Sequence, residues 1–350
     1  MLHPVSDPAT PGSNLKKLEE IKKMRLNTVV TALAAIGIFC GPAPAAAADA
    51  ADGYPNRPVR LITGSPGSTS DIVARFVAQK LTERWSRTVV VDNRPGAGGI
   101  IGTEIVAKSA PDGYTLNIGH IGTHAAPQFL FKSLGYDPIK DFAPVSLLTN
   151  SGIALTINAS VPVSTMKEFV AYAKARPGAL NYASAGGGTS SQLSGELFNQ
   201  MTGAKLVHIP YKGAGFALTA VLTGETHAAF LSTTTASGQV KAGKLKALAV
   251  MSPKRFPAAP DIPSITEAGF PGMESSVWFG LFAPAGTAKP IVDKINRDVV
   301  ASLKMPEARD ALLAQGAEPV PTTPQEFDAF LKAEIRKWGK VIRDAGIKGS

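Results

Sequence analysis

From Val59 to Leu81 the chain passes from a short apolar run, through a turn of glycine, proline and hydroxyl residues, into apolar residues spaced for a helix. Val59–Thr63 reads as a strand and Gly-Ser-Pro-Gly-Ser-Thr-Ser-Asp (64–71) as the turn. Ile72, Val73, Phe76, Val77 and Leu81 then share one face of a 3.6-residue repeat. Thr69 or Ser70 can cap the first helical turn, and Asp71 suits the positive end of the helix dipole. A strand feeding a helix through such a turn leaves N–H groups and hydroxyls pointing at one spot, where an anion can sit. An ordinary strand–helix turn of an α/β domain needs the same residues, so this stretch alone leaves both readings open.

The alternation continues. Thr88–Asp92 reads as a buried strand, Asn93–Gly99 as a turn, Ile100–Ala107 as a helix and Leu116–Gly119 as a strand. Further strands are expected at Ile153–Ile157, Asn181–Ser184, Val207–Ile209, Ala228–Leu231, Ala247–Val250 and Val277–Ala283. Helices are expected at Thr165–Ala175, Gln192–Met201, Ala214–Leu222, Thr235–Ala242, Ala288–Leu303, Pro306–Gln315 and Pro324–Ala345. Continuous apolar strands separated by helices imply a mainly parallel sheet covered on both faces. The central portion reads as an inserted α/β unit joined by strand crossings near Ile153 and Val277. The expected architecture is therefore two α/β lobes, 54–153 plus 277–350 and 154–276, with a cleft and a two-strand hinge between them.

Residues 1–48 read as a removable leader. Lys22, Lys23 and Arg25 precede an apolar run, Leu26–Phe39, that is short for a bilayer span, and Ala45–Ala48 offers cleavage sites near Ala48. Met24 stands where such a leader would begin, which leaves Met1 and Met24 both open as the start. The single cysteine, Cys40, lies in this leader, so about 300 residues without any disulfide must build their own core. That points to export into a bacterial periplasm. The net charge is +9; the leader carries +2 of it, leaving roughly +7 spread without basic runs or aromatic interleaving. Nucleic-acid binding is not expected; the charge can attract anionic small molecules, and a merely basic solvated surface is the simpler reading.

Enzyme motifs are scarce. There is no Gly-x-Ser-x-Gly elbow, no His-Glu-x-x-His and no phosphate-binding Gly-x-x-x-x-Gly-Lys-Ser/Thr loop. Gly96-x-Gly98 follows a strand, but Ile101 breaks the dinucleotide fingerprint, and close helix–strand packing is the better reading. His120 and His124 have a metal-ligand spacing without a neighbouring acid, so no metal or other cofactor is expected. Thr123 and His124 are instead candidates for lining the cleft.

Ser184–Gln192 repeats the logic of the first turn: a strand end, three glycines, then Thr189, Ser190 and Ser191 opening a helix. Glycines let the backbone approach a ligand closely. Two helix N-termini facing each other across a cleft would hold a carboxylate without any Arg or Lys. Ser232, with Thr233 and Thr234, adds hydroxyls at a third strand end.

Taken together, these segments resemble a known family. The matching stretches are Pro-Gly-Ser-Thr-Ser-Asp-Ile-Val-Ala-Arg (66–75), Val-Asp-Asn-Arg-Pro-Gly-Ala-Gly-Gly (91–99) and Ala-Pro-Asp-Gly-Tyr-Thr-Leu (110–116). They continue through Leu-Asn-Tyr-Ala-Ser-Ala-Gly-Gly-Gly-Thr-Ser (180–190), Val-His-Ile-Pro-Tyr-Lys-Gly (207–213), Trp278–Thr287 and Gln-Gly-Ala-Glu-Pro-Val (315–320). The chain resembles a Bug-type receptor, the periplasmic solute-binding component of tripartite tricarboxylate transporters. The resemblance covers 54–347 and implies a two-lobed periplasmic binding protein, type II-like, closing on a carboxylate held partly through ordered water.

Carried onto this sequence, the resemblance selects Ser65, Gly67, Ser68, Thr69 and Asp71 on one lobe, and Gly187, Gly188, Thr189 and Ser190 on the other. It implies a monomeric receptor serving a membrane permease with a large and a small subunit. Ser68 replaces a usual second glycine, Gln192 a usual histidine, and Ser232–Thr235 a bulkier run, so the ligand is left open among di- and tricarboxylates, aromatic carboxylates, acidic amino acids and nicotinate. A ligand sensor acting in signalling is the alternative. A periplasmic hydrolase using Ser190 or Ser68 with His124 and Asp71 is a remoter one, and no triad spacing supports it.

Overall fold

The alternating strands assemble into a ten-stranded sheet in the computed structural model, which describes residues 52–347. The expected leader, 1–48, lies outside the described residues. The strands are β1 (Val59–Thr63), β2 (Val89–Asn93), β3 (Thr115–His120), β4 (Phe142–Asn158), β5 (Asn181–Ser184), β6 (Val207–Pro210), β7 (Ala228–Ser232), β8 (Leu245–Val250), β9 (Ser276–Pro284) and β10 (Glu318–Pro319). Their order is β2-β1-β3-β9-β4-β7-β5-β6, with β8 and β10 also paired to β4.

Pairing is parallel where helical crossovers connect neighbours: β1 with β2 and β3, and β5 with β6 and β7. The middle of the sheet is antiparallel, β9 running against both β3 and β4, and β4 against β7 and β8. The α/β architecture is thus the expected one, with a mixed sheet whose long central strands run against their neighbours. β4 extends well before Ile153. Its register shifts between Pro144 and Ser146 and again between Leu147 and Thr149, and such bulges erase a period-two pattern. From Phe142 to Gly152 it pairs with β9, and from Ile153 onward with β7.

The helices are α1 (Thr69–Trp85), α2 (Ile100–Ala107), α3 (Pro127–Leu130), α4 (Met166–Lys174), α5 (Ser190–Thr202), α6 (Ala214–Thr223), α7 (Thr233–Lys241), α8 (Lys289–Leu303), α9 (Pro306–Ala314) and α10 (Pro324–Asp344). Local chemistry sets their starts. Thr165 and Glu168 form a reciprocal capping box on α4, as Thr323 and Glu326 do on α10, where Pro324 occupies the first turn. On α1 the buried stripe is Val73, Val77 and Leu81 together with Ala74 and Ala78. Ile72, expected on that stripe, is instead 39% exposed. The two alanines let the helix lie close to the sheet, which turns Ile72 outward.

One apolar core joins α1 and α8 to β1, β3 and β9, through Leu61, Val77, Leu116, Leu281 and Ile295. A second gathers Tyr182, Phe198, Phe230, Trp278, Phe327 and Trp338. Here Glu334 Oε2 accepts from both the Trp278 and Trp338 indole N–H groups, each at 2.8 Å. That fixes α10 against β9. Among the described residues no helix is long and apolar enough to cross a membrane.

Candidate functional site

The two glycine turns fold into the same shape. Gly67 and Gly188 sit at φ +72° and +73°, a left-handed conformation that favours glycine. The next residue caps a helix. Ser68 Oγ accepts from the Asp71 N–H at 3.3 Å, and Thr189 Oγ1 accepts from the Gln192 N–H at 3.5 Å. Ser68 is thus the cap of α1, where Thr69 or Ser70 was expected. Both capping hydroxyls also donate back across the turn, Ser68 to the Ser65 carbonyl and Thr189 to the Gly186 carbonyl, each at 2.7 Å. The third helical residue closes each loop. Asp71 Oδ2 accepts from the Gly67 N–H at 2.8 Å, and Gln192 Oε1 accepts from the Gly188 N–H at 2.7 Å.

Each brace is anchored from behind. Asp71 also accepts from Arg75 Nε at 3.0 Å and Asn93 Nδ2 at 2.8 Å. Burial acts to raise its pKa, but these hydrogen bonds outweigh that and hold it below the ordinary carboxylate value. Gln192 Nε2 meets His208 Nδ1 at 3.3 Å, and His208 Nε2 meets Ser184 Oγ at 2.6 Å. Burial lowers the His208 pKa, favouring a neutral ring.

With the capping and bracing bonds made, the N–H groups of the first two residues of each helix have no partner among the described residues. They are those of Thr69 and Ser70 at α1, and of Ser190 and Ser191 at α5. All four residues line one cavity of about 750 Å³. Both helix dipoles therefore point positive ends into the same space. No Asp, Glu, Lys or Arg lines it among the described residues, and Ile153, Phe230, Val277 and Phe279 make much of its wall apolar.

Of the residues singled out in the sequence, Ser68, Thr69, Gly187, Gly188, Thr189, Ser190 and Ser232 come together around this cavity. Ser65, Gly67 and Asp71 do not reach its lining; they shape the loop behind it. Thr123 and His124 do not line it either, contrary to expectation. Residues Ile121–Ala125 form a π-helical turn, and the His124 ring is fully buried, stacked on Phe282 at 3.8 Å between centroids. Its neighbour His120 is the histidine that lines the cavity. Burial pushes the His120 pKa down to about 4, against a smaller opposing effect of a Gly98 backbone hydrogen bond, so the ring is neutral at pH 7. The turn read only for helix–strand packing also reaches the cavity, through Ala97 and Gly98.

One contributor escaped the sequence reading: Ser151 lines the cavity from β4. Of the hydroxyl run expected after Ser232, Thr234 and Thr235 line it from the start of α7. The spacing Ser68-x-x-Asp71 and Thr189-x-x-Gln192 was the available signal for the braces, since a hydroxyl followed three residues later by an acid or amide marks a capped helix start.

The family model of the tripartite tricarboxylate transporter family receptor, TctC, matches residues 73–347. The chain belongs to that family. Protein BugT of Bordetella pertussis is 37% identical over 318 residues, covering 90% of this chain and 98% of BugT. A solved structure of an R. palustris protein with adipate is 36% identical, with a TM-score of 0.76, covering 85% of this chain and 100% of the other. MatC of Rhodopseudomonas palustris with bound malate is 35% identical, with a TM-score of 0.71, covering 83% and 100%.

As a TctC-family member the chain is a periplasmic solute-binding receptor and not an enzyme. Ser184 and His208 are in contact, yet neither lines the cavity, and His208 is spent on bracing Gln192.

Proposed function

We propose that this receptor captures a carboxylate-bearing small molecule in the cavity between its two glycine loops and delivers it to a two-subunit membrane permease. The observation that carries this is the set of four unpartnered N–H groups, at Thr69, Ser70, Ser190 and Ser191, converging from two helix starts on one cavity without charged side chains. Two helix N-termini contribute about +0.5 charge each, which together match one carboxylate. The bound adipate and malate of the two R. palustris relatives support the same ligand class.

In this reading Ser68, Thr69, Gly187, Gly188, Thr189, Ser190 and Ser232 contact the ligand or its ordered waters. Ser65, Gly67 and Asp71 hold the first loop in shape. Residues 54–153 with 277–350 form one lobe and 154–276 the other, and β4 and β9 flex as the lobes close. The leader is removed near Ala48 and the mature protein works in the periplasm as a monomer.

A thermal-shift screen of carboxylates, each paired with its uncharged amide, tests the proposal. A ligand at a hundred times its Kd stabilises the native state by about 2.7 kcal/mol. Shifts with one carboxylate class and none with its amides are expected. Equal shifts with the amides would contradict the proposal.

A further inference from the structure

We propose that Ser151 sets ligand specificity, donating a hydrogen bond to an accepting oxygen at the end of the ligand remote from the loop-bound carboxylate. This rests on the receptor reading above and adds a second anchoring point to it.

Seven buried side-chain polar atoms lack a hydrogen-bond partner among the described residues. Those of Thr63, His124, Thr149, Asn150, Thr226 and Thr233 belong to residues outside the cavity lining; Ser151 alone lines it. The residue is 2% exposed, so bulk solvent does not satisfy its hydroxyl. Unpaired buried hydroxyls are uncommon in native folds, and one on a residue lining a ligand cavity gains a partner on the ligand when its Oγ rotates toward the cavity.

The sheet explains the placement. Ser151 pairs with Val277 of β9, and Ile153, two residues on, pairs with Ser232 of β7. Side chains two apart share a face, and directly paired residues stand on the same face. Ser151, Ile153, Val277 and Ser232 thus form a floor under the cavity, apolar between two hydroxyls. The other hydroxyls nearby have hydrogen-bond partners. Ser232 Oγ meets Thr235 Oγ1 at 2.8 Å and accepts the Thr235 N–H, while Thr234 Oγ1 donates to the Gln315 carbonyl. The Ser232–Thr235 pair keeps one O–H free, and Ser151 is the hydroxyl here that makes no hydrogen bond at all. The N-terminus of α7, capped by Ser232, favours an electron-rich group beside this floor. With no Lys or Arg in the lining, the shared requirement is an accepting oxygen, met by a hydroxyl or by a second carboxylate.

The test is calorimetric titration of wild-type protein and Ser151→Ala with straight-chain fatty acids, ω-hydroxy acids and α,ω-dicarboxylates of four to eight carbons. Wild type is expected to prefer an oxygen-terminated ligand over the fatty acid of equal length by about tenfold or more. Ser151→Ala is expected to abolish that preference and leave fatty-acid affinity within about twofold. A preference confined to the hydroxy acids assigns a neutral oxygen, and one confined to the diacids assigns a second carboxylate. A preference that survives in Ser151→Ala, or an equal loss for all three classes, overturns the proposal. Ser190→Pro separates the two claims, because losing the shared carboxylate anchor weakens every ligand alike. If no carboxylate binds wild type, both claims fall together.

Discussion

Replacing Ser190 by proline removes one of the four free N–H groups while asking little of the fold. Ser190 is the first residue of α5, the helix position where proline is best tolerated because its N–H has no intrahelical partner. Thr189 before it already has the extended backbone, φ −77° and ψ 157°, that a residue preceding proline requires. The Ser190 carbonyl still accepts from Ser194 Oγ. A hydrogen bond to a charged group contributes about 1.5–3 kcal/mol, so the Kd for a carboxylate should rise roughly tenfold to hundredfold at 1.4 kcal/mol per decade. Ser190→Ala, measured beside it, isolates the hydroxyl and should have the smaller effect. Calorimetric titration gives the affinities, and a melting curve checks that the fold is kept. Unchanged affinity in a well-folded Ser190→Pro would refute the reasoning, since the carboxylate would then not lie against α5.

Other substitutions probe the braces and the core. Asp71→Asn puts an amide N–H₂ among the Gly67, Arg75 and Asn93 donors and should destabilise the protein by about 1–3 kcal/mol in denaturant titration. Because the folded pKa of Asp71 is depressed, its contribution is full above about pH 4 and is lost as the pH falls through the folded value. Wild type should therefore lose stability faster than Asp71→Asn across that acid window, by an amount tempered by the exposure of Arg75. Gln192→Glu keeps an acceptor for the Gly188 N–H but sets a negative charge beside the α5 N-terminus, and should weaken carboxylate binding at least about tenfold at pH 7. Binding that is unchanged in titration would count against an anion at that loop. Glu334→Ala strands the Trp278 and Trp338 indole N–H groups and should lower stability by about 2–5 kcal/mol, read by tryptophan fluorescence during unfolding.

Much of the scaffold was legible because punctuation and period agree in this chain. The helix at Ile100–Ala107 and the strand at Asn181–Ser184 have the bounds their sequences imply. The first half of β4 was not legible, since two bulges and the buried Ser146 and Thr149 break the alternation a strand should show. At the site, the two glycine loops announced themselves by composition, and their convergence on one cavity follows from both opening helices at strand ends. His124 misled because a histidine one residue after a loop threonine reads as polar and accessible. The π-helical turn instead drives it into the aromatic cluster with Phe142 and Phe282. Ser151 was invisible because a single serine beside an apolar strand carries no pattern; only the pairing to Val277 and the unpartnered hydroxyl bring it out. Pairwise contacts between distant segments are what local pattern cannot encode.

The central claim is that a ligand carboxylate is gripped by backbone N–H groups at the two helix starts. Backbone amide proton shifts, followed by NMR while a carboxylate found by the thermal screen is added, address it most directly. The account predicts that the amides of Thr69, Ser70, Ser190 and Ser191 move downfield together, while those of Gly67 and Gly188, already bonded to Asp71 and Gln192, move little. Saturable binding that leaves those four amides unmoved would contradict it and put the carboxylate elsewhere.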